Sequence, residues 1–149
     1  MKRLATALAT TIALGTISPA WAQNNTSDMG LLPGVWRMTS LEAGPVGEDR
    51  AEVEYSGQIV FADTGVMAVH AMDPDPEATS SYVVNGYEAM YGTIEVDASA
   101  KTFVFTVESA LVRDLIGQEL ERAYEVSEDQ LVLTPTSPDE NWRVVYERF

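Results

Sequence analysis

Cysteine is absent from the chain, and histidine occurs once, at His70. The first absence excludes disulfides, zinc–thiolate centres and thiol nucleophiles, so the fold has to be held by packing alone. The second excludes the ordinary imidazole metal site, which needs two or more histidines. A Ser-His-Asp arrangement would have to use His70, and no G-x-S-x-G pattern accompanies it. Basic residues are also scarce: nine Lys and Arg stand against 23 Asp and Glu, a net charge of −14. Such a chain repels phosphate backbones and anionic lipid, so nucleic acid is not an expected partner. No apolar run reaches the roughly 20 residues that a membrane-spanning helix needs. Nor is there a repeat at the period of roughly 20–50 residues that marks solenoids and propellers.

The opening of the chain has its own pattern. Lys2 and Arg3 precede an apolar and small-residue run over residues 4–17, and Ala20-Trp21-Ala22 follows. A basic start, a short apolar stretch and an A-x-A site predict a secretory signal peptide over residues 1–22, and with it a periplasmic or secreted location. Removing Lys2 and Arg3 leaves seven basic residues against 23 acidic ones in the 127-residue remainder, a net charge of −16. That remainder is the length of one domain and long enough to bury a core. Residues 23–30 are small and polar and read as a flexible tail; residues 31–149 read as the folded domain. Apolar residues make up 46% of the chain and aromatics are spread along it, unlike a disordered acidic segment.

From Gly34 onward the hydrophobic period is mostly two. The alternation predicts strands over residues 34–41, 53–62, 66–72, 92–96, 102–108, 119–126, 130–134 and 142–149. Asp63-Thr64-Gly65 and the run from Asp97 to Lys101 are turns, and Asp73-Pro-Asp-Pro-Glu77 cannot belong to a ladder because its prolines lack the donor. Residues 79–90 place Tyr82, Val83, Tyr87 and Met90 near helical spacing and predict one short helix, although Gly86 inside it costs about 1 kcal/mol relative to Ala. Eight strands without a βαβ rhythm suit an antiparallel sandwich or barrel.

Several segments resemble a known family. Leu32-Pro-Gly-Val-Trp-Arg-Met-Thr-Ser40, Tyr91-Gly-Thr-Ile-Glu-Val-Asp97, Ile116-Gly117, Glu121-Arg-Ala-Tyr-Glu-Val126, Asp129-Gln-Leu-Val-Leu-Thr134 and Val145-Tyr-Glu-Arg148 follow the order and spacing of bacterial lipocalin-like domains. The resemblance implies an all-β, antiparallel, up-and-down barrel able to hold one small ligand. It also implies that an Arg from a late strand stacks on Trp36 and closes the base. Arg148 has the parity for this, and Arg122 is the other candidate. Where such domains often carry histidines, this chain has Phe103 and Phe105, which points to a drier interior.

The aromatic residues define the candidate site. Tyr55, Phe61, Phe103, Phe105, Tyr124, Trp142 and Tyr146 share one face of their strands, and in a barrel the shared face is the inside. Tyr55, Phe61, Phe103, Phe105, Arg122, Tyr124 and Tyr146 are therefore the expected lining of a site for a small, mainly apolar molecule. Arg122 and Tyr124 would anchor a carboxylate or carbonyl. The opposing expectation is that these same side chains fill the interior. No cofactor or metal is indicated; the acidic run from Asp73 to Glu77 lacks the spacing of a calcium loop and reads as solvated. Two other functions are open: a cyclase or isomerase that uses Glu108 or His70 as base and Tyr124 as donor, and an envelope protein without a cavity.

Overall fold

A computed structural model describes residues 30–149. The expected signal peptide over residues 1–22, and all but the last residue of the expected tail, lie outside the described residues. The regular secondary structure of the described chain is almost entirely antiparallel sheet. Its strands are β1 (Gly34–Ala43), β2 (Ala51–Val53), β3 (Ser56–Phe61), β4 (Val66–Met72), β5 (Tyr87–Asp97), β6 (Thr102–Ala110), β7 (Glu119–Val126), β8 (Gln130–Pro135) and β9 (Trp142–Arg148).

Each strand from β3 to β8 pairs with the next in sequence, β1 pairs with β3, and β9 returns to pair with β1. Eight strands therefore close an up-and-down barrel, and closure removes the free edges that an open sheet would present. The short β2 is an extra strand on the same edge of β1 as β3. Arg37 faces Gln58 in β3, whereas Leu41 faces Val53 in β2, so the register slips by one residue across Glu54 and Tyr55. β2 thus continues β3 past a kink rather than adding a separate stave.

Alternation decides which side chains enter the barrel. In β4, Met67, Val69 and Ala71 are buried while Val66, His70 and Met72 are exposed. In β6, Phe103, Phe105 and Val107 point inward. The tight turns gather at one end. Asp97 accepts hydrogen bonds from the backbone of Ser99 (2.9 Å) and Ala100 (3.0 Å), shaping the β5–β6 turn. The Gly65 N–H donates to Ala62 O at 3.0 Å between β3 and β4. The longer connections, residues 44–50, 73–86, 111–118 and 136–141, lie at the other end.

The helix expected over residues 79–90 does not form. Asn85 and Gly86 both have positive φ, 52° and 75°, and Val84 bridges to Tyr87. This is a two-residue hairpin turn, which Asn-Gly adopts without strain, and it starts β5 at Tyr87. The helical content after it is one 3₁₀ turn at Arg113–Leu115. Among the described residues no helix is long and apolar enough to cross a membrane.

Candidate functional site

The tight-turn end of the barrel is solid. Trp36 is fully buried and donates its indole N–H to Leu32 O at 2.9 Å. Arg148, its register partner across β1 and β9, lays its guanidinium 3.9 Å over the ring. The same guanidinium donates to Leu31 O (2.7 Å), Pro33 O (3.0 Å) and Glu128 O (2.7 Å). It lies so close to Gly34 that a Cβ there would collide with its Nη1, and Gly34 also has a φ of 141°. The Gly34-x-Trp36 spacing is thereby explained: glycine makes room for the cation that covers the tryptophan. Arg148, not Arg122, occupies this position.

Above this floor, Phe61 meets Phe103 edge-on at 5.7 Å and Phe103 stacks on Tyr124 at 6.3 Å between centroids. Phe61 and Tyr124 belong to this packed layer and do not line a cavity. Phe103 is the partition. On its far side opens a cavity of about 190 Å³, walled by Tyr55, Phe103, Phe105, Arg122 and Tyr146 among the expected residues. Met38, Ile59, Val69, Met90 and Leu133 are part of the remaining apolar wall.

The segment over residues 73–86 folds across the mouth and contributes Ser80, Tyr82 and Val83 to the lining. Its shape comes from its own polar groups: Asp73 and Asp75 each accept a hydrogen bond from the backbone N–H two residues on, at 2.9 Å. Gly86 N–H closes the segment onto Ala78 O at 2.8 Å. The carboxylates of the acidic run thus act as turn-formers, and no metal-binding group of side chains occurs among the described residues.

Arg122 is buried and already engaged. Its Nη1 donates to Glu140 Oε1 at 3.1 Å and Glu121 O at 2.9 Å, and its Nη2 donates to the Tyr82 hydroxyl at 2.8 Å. Tyr82 and the Trp142 indole both donate to Glu140 Oε2 at 2.8 Å. The guanidinium also lies 5.1 Å from the Trp142 ring. The network ties the mouth segment to β7 and β9. It leaves Arg122 a structural cation rather than an open anion receptor.

No family model matches the chain, and no curated protein matches it. Among solved structures it is similar to an uncharacterized protein from Bacteroides eggerthii DSM 20697, at 14% identity and a TM-score of 0.49, over 79% of this chain and 99% of that one.

The one carboxylate on the cavity wall is Glu88, near the start of β5, which sequence reasoning missed. It faces inward with Met90, and its carboxylate accepts no hydrogen bond from any described residue. Burial pushes it up from 4.5 to about 7, and the Arg122 charge offsets this only in part. The cavity phenols stay protonated. Tyr55 is pushed up to about 12 by burial and then by Asp73, and Tyr82 is pushed up to about 12 by burial and then by Glu140 against the pull of Arg122. Burial, reinforced by Glu88, raises Tyr146 further. The signal for Glu88 was the inward alternation of Ile94, Gly92 and Met90 read back two more residues. The two bases considered for an enzyme lie elsewhere: His70 is exposed on the outer wall opposite Gln58 and Ala89, and Glu108 is exposed at a bulge in β6.

Proposed function

We propose that this chain is an exported, lipocalin-like barrel protein that binds one small, mainly apolar molecule inside the barrel. The observation that carries the reading is the cavity of about 190 Å³ between Phe103 and the mouth segment. Eight-stranded barrels are narrow enough for side chains to fill, so open space of this size is a departure from simple packing. An apolar wall with a few convergent polar groups is the usual composition of a small-molecule site. The volume limits the occupant. A cavity of about 150 Å³ takes a benzene ring, so this one suits a single ring with a short side chain and not a long lipid. The cyclase or isomerase reading loses support, because neither His70 nor Glu108 faces the space. Export is supported by the basic, apolar and A-x-A succession over residues 1–22.

Native mass spectrometry of protein recovered from its own host tests the binding. A bound small molecule is expected on the wild type and not on Val69→Phe, which fills the cavity wall. Equal occupancy in both would place the ligand elsewhere. N-terminal sequencing of the recovered protein is expected to begin at Gln23; a protein that retains Met1 would remove the export reading.

A further inference from the structure

We propose that the occupant is a small cationic amine carrying one apolar group, with Glu88 as the counter-ion for its ammonium. This rests on the binding reading above and specifies its ligand class. Glu88 is the one carboxylate on the cavity wall, it has no hydrogen-bond donor among the described residues, and it stands beside Met90 in a wall that is mostly apolar. A buried carboxylate without a partner is costly, and a bound cation removes that cost.

The groups that face Glu88 from the neighbouring elements remove that cost only in part, through the Arg122 charge. Arg122 on β7 is held by Glu140, and Tyr55 before β3 is drawn to Asp73. Tyr146 on β9 lies within electrostatic range of Glu88 but donates no hydrogen bond to it. Tyr82, from the mouth segment, donates to Glu140.

Charge around the mouth favours the same ligand class. Asp73, Asp75 and Glu77 lie in the segment that covers it, and the chain carries a net charge of −14, so a cation is drawn in and an anion turned away. Tyr55 and Tyr146 also line the wall, and aromatic rings attract an ammonium. A carboxylate ligand would meet the Glu88 charge and find Arg122 occupied. A neutral ligand would leave Glu88 uncompensated.

Calorimetric titration with three probes of one shape tests the assignment: phenethylamine, 2-phenylethanol and 3-phenylpropionate. The measurements are made at about pH 8, above the value near which Glu88 titrates. Phenethylamine is expected to bind wild type at least about tenfold more tightly than 2-phenylethanol, and 3-phenylpropionate not detectably. Glu88→Gln should abolish the preference for the amine while keeping the affinity for the alcohol, which also shows that the variant is folded. Equal binding of amine and alcohol by wild type, or an undiminished preference in Glu88→Gln, overturns the proposal and leaves the apolar binding reading standing. Failure of all three to bind overturns both.

Discussion

Arg148 combines roles that a lysine could not. Its planar guanidinium covers Trp36 at 3.9 Å and at the same time donates to three carbonyls, of Leu31, Pro33 and Glu128. A lysine ammonium is a point charge without the flat face or the fork of donors. Arg148→Lys is therefore expected to lower unfolding stability by about 2–3 kcal/mol, from lost stacking and unmet carbonyls. Denaturant titration measures this, and a loss under about 0.5 kcal/mol would show that the cap carries little. Amine or alcohol binding should survive, because the cavity lies beyond Phe103. Glu88 gives the opposite kind of effect. Its folded-state value near 7 lies above its ordinary 4.5, so the folded protein holds that proton more tightly than the unfolded chain does. The side chain's contribution to stability is thus fully present below about pH 4.5 and is lost as pH rises through about 7. The phenols facing it, Tyr55, Tyr82 and Tyr146, are all raised by burial and stay protonated across this window. Relative to wild type, Glu88→Gln should gain about 2 kcal/mol at pH 8 and almost nothing at pH 4, allowing for the water that the cavity admits. A pH-independent difference between the two proteins would show that Glu88 is not strained.

At the scale of elements, the hairpin at Asn85 and Gly86 decides how the barrel mouth is covered. Gly86 has a φ of 75°, and a Cβ there would come within 2.6 Å of Asp75 O in the segment folded beneath it. Gly117 has a similar φ of 85° but open space around it. Gly86→Ala and Gly117→Ala therefore share the left-handed backbone penalty of about 1 kcal/mol, while only the first also presses on the mouth segment. Gly86→Ala is expected to be the more destabilising and to raise hydrogen exchange at the amides of Ala78 and position 86; equal losses in the two variants would mean that the segment yields freely. This hairpin is also where the sequence was misread. Tyr82, Val83, Tyr87 and Met90 fall near helical spacing, yet Asn-Gly between apolar residues is among the strongest local hairpin signals and outweighs a weak periodicity. Taking residues 79–90 as a helix hid the first four residues of β5, and with them Glu88. The strands themselves were legible because a half-buried strand writes its inside and outside into alternate residues. The roles of Phe61 and Tyr124 were not, since parity gives the face of the sheet but not the depth along the barrel axis. The partner of Arg122 was equally hidden: Glu140 is 18 residues away, in a loop that shows no period.

The whole molecule joins two features that oppose each other. Closure through β1 and β9 makes each stave depend on its two neighbours, so the barrel should unfold as one unit. Against that stands the net charge of −14 in a chain without a disulfide to limit expansion. Like charges spread over a small barrel repel across its width, and the unfolded chain relieves the repulsion by moving them apart. Raising the salt from about 0.01 M to about 0.1 M shortens the screening length from about 30 Å to about 10 Å, so repulsion across the barrel is weakened first. The Arg122–Glu140 pair is mostly buried, with side chains 10% and 19% exposed, and is screened much less. Stability should therefore rise over this range, with the melting temperature increasing by roughly 2–4 °C in a single cooperative transition. Sodium chloride and sodium sulfate at equal ionic strength are expected to give the same increase if screening is the cause. A larger effect of sulfate would assign it to exclusion from the apolar surface instead. A fall in melting temperature with salt would mean that surface ion pairing outweighs the repulsion, and that the acidic excess is not what limits the barrel's stability.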